Sequence, residues 1–392
     1  MQITRRAIAG LCGLVSLCAL VPAHAQQPVK IGLIMTYSGQ FTDPAAQMDN
    51  GIKLYVKQHG DVVAGRKVEI IRRDTGRAPD VAKRLAQELI VRDNVDILAG
   101  FVLTPEALAV ADLSAEAKKF MVVMNAATSI ITTRSPYMAR VSLTLPQNCE
   151  QLGSWAFRNG IRKVYTMVSD YAPGHDAEAS FQGAFKAAGG EIIGAVRMPV
   201  TTVDFSAFVQ RVKDQNPEGI FVFIPGGSQP PALAKALIGR GIDPKEIKVM
   251  GQGEITDESA LAGMGDGAVG IITALHYDYN HQSPTNADFV KAYNAEFKRN
   301  PDFFSVGGYD GMHLIYEALK KNGGKTGGEG LIAAAKGMKW ESPRGPVSID
   351  PETRDVIQTI YIRRVERVNG QLRNVEIEKF ENVKDPVKAR MK

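Results

Sequence analysis

Short, unbroken apolar runs alternate with amphipathic stretches along most of this chain, and that alternation narrows the folds open to it more than any other feature. "VKIGLIMT" (29–36), "KVEIIRRD" (67–74), "VDILAGF" (95–101) and "FMVVMN" (120–125) read as strands. Between them lie helical patterns, among them "PDVAKRLAQELIVRD" and "TPEALAVADLSAEAKK". Runs that are apolar at every position belong to strands covered on both faces, which implies a parallel sheet with helices on each side. The expectation is a doubly wound α/β lobe. After "RVSLTLPQN" (140–148) the same grammar begins again with "KVYTMVSD" (163–170), "EIIGAVRMP" (191–199), "GIFVFIP" (219–225) and "IKVMGQG" (247–253). The second lobe repeats the architecture of the first without any residue-level repeat. Two further helices are expected over 286–300 and 305–324. The chain then ends in a strand pair joined by Asn369-Gly370, a strong two-residue hairpin signal, and that tail is too small to be a third domain.

Two lobes also suit the length, since 392 residues exceed what one ordinary core holds. Hydrophobic residues at 44% and charged residues at 23% exclude disorder and a polytopic membrane protein. Residues 1–25 differ from the rest: Arg5 and Arg6, then "AIAGLCGLVSLCALV", then "PAHA" with Ala23 and Ala25. That pattern reads as a secretory signal peptide cut after Ala25, taking the general secretory route rather than the twin-arginine one. The apolar run is shorter than the ~20 residues of a spanning helix, and neither Cys12 nor Cys18 sits in a lipoprotein setting. Loss of Arg5 and Arg6 takes the formal charge from +5 to +3, too mild to argue for nucleic acid or anionic membranes. Cys149 is then the only cysteine, so no internal disulfide is expected; a small buried filler suits it better than a catalytic thiol.

In open α/β sheets ligands bind beyond the carboxyl ends of the strands, where helix N-termini present free N–H groups. The loops at those ends read "TYSGQFTD" (36–43), "GFVLTPE" (100–106), "NAATSI" (125–130), "DYAPGHD" (170–176), "PGGSQ" (225–229, with Gly226) and "GQGEITD" (251–257). Glycine, small hydroxyls and aromatics fill them, and metal ligands are few. Past residue 25 the histidines are His59, His175, His276, His281 and His313, none paired at HExxH or HxH spacing. There is no GxSxG, no GxxxxGK[ST], and no GxGxxG after the first strand. No metal and no cofactor is expected, and no catalysis. "GMGDGAVG" (263–270) precedes a strand and reads as a loop. The cluster "SDYAPGHDAEASF" (169–181) has the composition of an acid/base site. Its Asp176 and Glu178 read instead as acids of the first helical turns, favoured by the helix dipole, and His175 as an exposed or cleft-edge residue.

Four fragments in order, "IGLIMTYSGQF", "GFVLT" with "MNAATS", "DFSAFVQRVKDQNPEGIFVFIPGG" (204–227) and "GGYDGMHLIYEAL" (307–319), resemble the branched-chain amino acid (leucine/isoleucine/valine-binding) family of periplasmic solute-binding proteins that serve ABC importers. The resemblance runs from about Val29 to about Phe380. It implies a type I periplasmic binding fold in which two doubly wound parallel-sheet lobes, joined by a three-segment hinge, close on a ligand as a monomeric clamp. The implied lobes are 26–146 plus 278–345, and 147–277 plus 346–385. The implied crossings lie near Leu145 and Pro146, near His276 to Tyr279, and near Ser342 to Asp355, so helices of 286–340 pack on the first lobe.

For the ligand, the resemblance implies a carboxylate held by Thr104 and by the Ala126, Ala127, Thr128 segment, with N-capping as the alternative for the two threonines. It also implies a glutamate for an ammonium group. Glu254 lies one position off the usual spacing, and "YAPGH" replaces the usual Tyr-Gly, which puts an ammonium site in question. Tyr37, Phe41, Tyr171 and Tyr277 offer aromatic walls or lobe packing. The C-terminal "SPRGPVSIDPETRDVIQTIYIRRVERVNGQL" resembles a subgroup that takes aromatic carboxylates. The expected function is a periplasmic receptor delivering a small carboxylate, aromatic or otherwise hydrophobic, to a membrane permease. A branched-chain or neutral amino acid is the alternative ligand. An extracellular sensor domain and a secreted hydrolase are the more remote readings; the sensor is expected to carry a membrane helix after the clamp, and the hydrolase a reactive group at a strand end.

Overall fold

The computed structural model describes residues 27–391; the signal-peptide segment lies outside them. In chain order the elements are β1 (Val29–Met35), α1 (Thr42–His59), β2 (Val62–Val63), β3 (Arg66–Asp74), α2 (Pro79–Val91), β4 (Ile97–Gly100), α3 (Thr104–Glu116), β5 (Phe120–Val123) and β6 (Met138–Arg140). There follow α4 (Leu145–Arg158), β7 (Lys163–Ser169), α5 (Ala172–Ala187), β8 (Glu191–Met198), α6 (Ser206–Lys213), β9 (Gly219–Phe223), α7 (Gln229–Gly239), β10 (Lys248–Gln252), α8 (Glu258–Met264) and β11 (Ile272–Leu275). The chain closes with α9 (Pro284–Phe297), α10 (Phe303–Lys321), α11 (Gly328–Ala335), β12 (Lys339–Ser342), β13 (Gly345–Ile349), β14 (Val356–Val368), β15 (Gln371–Val383) and α12 (Pro386–Arg390).

Two sheets result. The first runs β2-β3-β1-β4-β5-β6, parallel except for the β2–β3 pair. The second runs β12-β13-β14-β11-β10-β9-β7-β8, with β15 on β14. Its β8-β7-β9-β10-β11 portion is parallel, and β14 joins β11 antiparallel. The central strands β4, β5, β9 and β11 are buried at every position, as covered parallel strands must be. The C-terminal hairpin is thus an extension of the second sheet. Asn369 and Gly370 both have positive φ, at 50° and 79°, the left-handed pair that a tight hairpin turn requires.

Sequence reasoning missed the short strands β2, β6, β12 and β13. With two to five residues each, they are too brief for a period to register. "GMGDGAVG" holds the end of α8 and a single 3-10 turn. α5 starts at Ala172 and carries no acid in its first turn. The helix-dipole account of Asp176 and Glu178 is therefore corrected: both lie beyond the turn where the dipole acts. Glu178 instead accepts from Arg197 at 2.9 Å and from Thr166 Oγ1 at 3.1 Å.

The chain passes between the two sheets through residues 141–144, 276–283 and 336–338, and α9, α10 and α11 pack against the first sheet's helices and strands. α10 lies almost backbone to backbone on α1. A Cβ on Gly308 would sit 2.1 Å from the Met48 carbonyl oxygen, and one on Gly51 would sit 1.9 Å from that of Ser305. The glycines of "GGYDG" therefore serve packing. α4 opens with a capping box in which Thr144 and Gln147 exchange bonds, at 3.4 Å from the Gln147 N–H and 2.8 Å from the Thr144 N–H.

Three fully buried arginines stand at the first and second crossings. Arg344 donates to the Ser142 carbonyl and to Gln358, and pairs with Asp310 at 2.9 Å. Arg363 donates to the Tyr277 carbonyl at 2.8 Å and to Thr273. Arg140 donates through Nε and Nη2 to Asp355 Oδ1 at 3.0 and 2.7 Å, and through Nη1 to the carbonyls of Ala126 and Thr128 at 3.1 and 2.8 Å. Removing one partner of a buried ion pair leaves the other charge poorly compensated, at a cost of about 3–5 kcal/mol. Arg140→Ala is accordingly expected to lower the urea midpoint by that order of stability at unchanged m-value, measured by equilibrium unfolding.

Candidate ligand-binding cleft

The strand-end loops of both sheets converge on a small, tightly lined cavity. From the first-sheet side come Phe41, the Val102-Leu103-Thr104 turn that opens α3, Asn125-Ala126-Ala127 after β5, and Phe304 at the start of α10. From the second come Tyr171 and Pro173 at the start of α5, Phe223 at the end of β9 with Pro225 and Gly226 after it, and Glu254 after β10.

Of the residues singled out from sequence, Phe41, Thr104, Ala126, Ala127, Tyr171, Gly226 and Glu254 line this space. Thr128 stands one layer behind, its Oγ1 3.0 Å from Thr104 Oγ1, and it fixes that hydroxyl. Neither threonine makes a side-chain capping bond: the residue capping α3 is Leu103, and Thr128 holds the N-cap position of the short 3-10 helix Ser129–Thr133 without bonding to it through its hydroxyl. Tyr37 and Tyr277 do not line the cavity. The Tyr37 ring packs against the core and its backbone N–H donates to Asp74. Tyr277 is buried against Phe289 with its hydroxyl donating to Asn286 at 3.0 Å, so it is packing at the second crossing. The strand-end rule points to the loops that supply Val102, Leu103, Asn125, Pro173 and Pro225, although it singles out none of them. Phe304 had no signal, because α10 reaches the cleft only through its packing on α1.

The walls are largely aromatic. The Tyr171 ring lies against Phe223 with centroids 6.2 Å apart, and Phe303 backs Phe304 at 4.0 Å. Among the described residues no lysine, arginine or histidine lines the cavity, and Glu254 is its one carboxyl. Burial pushes Glu254 up to about 8, although the Gly226 N–H donates to its Oε2 at 3.2 Å and opposes the shift. Burial thus favours the protonated form of the group. Burial also pushes the Tyr171 hydroxyl well above its ordinary range. At the opposite side the first turn of α3 brings its N–H groups and partial positive charge to Thr104.

The two sides touch. Gly227, with φ +76°, lies so close to the first lobe that a Cβ would meet the Gln40 carbonyl oxygen at 2.4 Å. The Ser129 N–H donates to Asp176 Oδ2 at 2.8 Å, joining the segment after Thr128 to α5. The chain is therefore in a closed arrangement. His175 pairs with Asp170 at 2.7 Å and is part-exposed. Cys149 is fully buried in α4. Among the described residues no group of three or more His, Cys, Asp or Glu side chains is placed to hold a metal, and no helix is long and apolar enough to cross a membrane.

The profile of the periplasmic binding protein family matches residues 28–371. The chain belongs to the periplasmic binding protein family. It is 44% identical over 363 residues to the Leu/Ile/Val-binding protein homolog 6 of Brucella melitensis, covering 91% of this chain and 93% of that one. It is similar to an ABC-transporter solute-binding protein from Rhodopseudomonas palustris BisB5, solved in complex with 3,4-dihydroxybenzoic acid. That likeness has 53% identity and a TM-score of 0.90, over 92% of this chain and 99% of the other. A second such protein, from R. palustris HaA2 in complex with p-hydroxybenzoic acid, is 43% identical with a TM-score of 0.90, over 93% of this chain and 100% of the other. The type I periplasmic binding fold expected from the sequence is the fold observed.

Two outcomes follow from this periplasmic binding protein's geometry. Alanine at Gly227 would combine an unfavourable left-handed φ with contact against Gln40. Gly227→Ala is expected to weaken ligand binding at least about tenfold, measured by calorimetry, and also to lower the thermal midpoint of the ligand-free protein through the left-handed φ. The second outcome concerns pH. Glu254 and Asp257, the latter pushed up to about 6 by burial, both titrate higher in the folded chain than their ordinary 4.5 and 3.8. The folded state thus holds extra protons in that window, and stability is lost as pH rises toward about 8. The thermal midpoint should fall between about pH 5 and about pH 8, and Glu254→Gln should flatten that fall; equal slopes would refute the assignment.

Proposed function

We propose that this periplasmic binding protein is the receptor of an ABC importer, exported to the periplasm and closing on an aromatic carboxylate that it hands to a membrane permease unchanged. The observation that carries the reading is the lining itself: Phe41, Tyr171, Phe223 and Phe304 around a cavity with no cationic side chain. Four aromatic faces suit a flat ring, which gains from offset and edge contacts beyond simple burial. The carboxylate would lie at the α3 N-terminus against Thr104 Oγ1 and the Ala126–Ala127 backbone. Hydroxyl and N–H donors aimed before the ligand arrives stabilise its charge without a buried lysine or arginine.

Closure would then desolvate the ring between the lobes, with the Gly226–Gly227 turn and the start of α5 forming the second jaw. A closed clamp differs in shape from an open one, and that difference is what a permease can read. The solved relatives that carry hydroxybenzoic acids support the ligand class. Glu254 facing the cavity favours one second reading, a branched-chain or neutral amino acid whose ammonium group would pair with it.

Differential scanning fluorimetry against benzoate-type acids and against leucine separates the two. Millimolar hydroxybenzoate is expected to raise the midpoint and leucine to leave it unmoved. Stabilisation by leucine alone would overturn the aromatic reading, and recovery of a chemically altered ligand would overturn the receptor role.

A further inference from the structure

The cavity has two polar ends, and only one of them is accounted for by a carboxylate. At the first lobe stand Thr104 and the opening turn of α3. At the second stands Glu254, deeply buried, with Oε2 taken by the Gly226 N–H at 3.2 Å. Its Oε1 has no hydrogen-bond partner among the described residues, nor has the Tyr171 hydroxyl, and both residues line the space. A ligand carboxylate is assigned to the first end by Thr104 and the opening turn of α3, which leaves the carboxyl group and the phenol of the second end for another polar group of the ligand.

We propose that Glu254 is a specificity residue that hydrogen-bonds a hydroxyl on the ring of the ligand, so that the site takes ring-hydroxylated benzoates in preference to benzoate itself. The inference rests on the aromatic-carboxylate reading above. A phenolic hydroxyl both donates and accepts, so it can meet Glu254 Oε1 in either protonation state of the carboxyl. Tyr171, beside it, can share the same hydroxyl. A ligand without that group would close the lobes over a carboxyl left unpaired in a dry site, and sites built to bond a hydroxyl discriminate strongly against analogues that lack it. An ammonium group could occupy the same end, but the ligand would then be a zwitterion, which the ligand comparison already distinguishes.

The test is calorimetric binding of 4-hydroxybenzoate and benzoate to the full mature protein, to Glu254→Leu and to Glu254→Gln. The wild type is expected to bind 4-hydroxybenzoate about tenfold or more tightly than benzoate. Glu254→Leu should erase that ratio while binding benzoate at least as well as the wild type, which also shows that it folds. Glu254→Gln should keep most of the ratio, since the amide can still meet a hydroxyl. Equal wild-type affinities, a ratio that survives in Glu254→Leu, or loss of both acids from a folded Glu254→Leu variant would each overturn the inference while leaving the aromatic-carboxylate reading standing. Failure of the wild type to bind either acid would overturn both.

Discussion

The guanidinium of Arg140 is the interaction on which the rest of the cleft depends. It is fully buried at the end of β6, where the chain leaves the first sheet, and it is shared between two tasks. One side is held by Asp355, itself paired with Lys388 at 2.6 Å in the last helix. The other side donates to the carbonyls of Ala126 and Thr128. The segment that faces the ligand space is thereby fixed from behind by residues more than two hundred positions downstream. A buried ion pair is weak support for stability by itself, because desolvation of the two charges offsets their attraction. Its value here is geometric: an arginine fork holds two carbonyls and a carboxylate in one plane.

Arg344 repeats the device at the first crossing, on the Ser142 carbonyl, and Arg363 at the second, on the Tyr277 carbonyl. Contacts across the cleft include the Gly227 turn against Gln40, Gly226 beside Phe304, and the Ser129 N–H on Asp176. A ligand buried between the lobes shifts them toward closure by as much as its affinity for the closed form exceeds that for the open one.

Much of the fold was legible because parallel strands covered on both faces leave continuous apolar runs, and every such run found in the sequence became a strand of one of the two sheets. The Asn369-Gly370 turn was equally plain, since only certain residues accept two successive positive φ values. Seven of the ten proposed site residues line the cavity for a related reason: strand-end loops must lie at one edge of a parallel sheet. The misses also have causes. Tyr37 and Tyr277 are aromatic and near the right loops, but a side chain's direction after the strand ends is set by its neighbours. Phe304 lies in a helix that the sequence places far from any strand end. Asp176 looked like a dipole-favoured acid until α5 was seen to start at Ala172.

The sequence by itself determined the strand and helix alternation, the two-lobe plan, and the loops in which a ligand could be held, because these follow from local periodicity and from the chirality of parallel crossovers. Only the tertiary structure decided that the cavity is walled by four aromatics, free of cations, and has an unpartnered Glu254 oxygen at its far end. Those properties arise where segments distant along the chain meet, and burial, which moves the Glu254 carboxyl up to about 8, exists only once both lobes surround it.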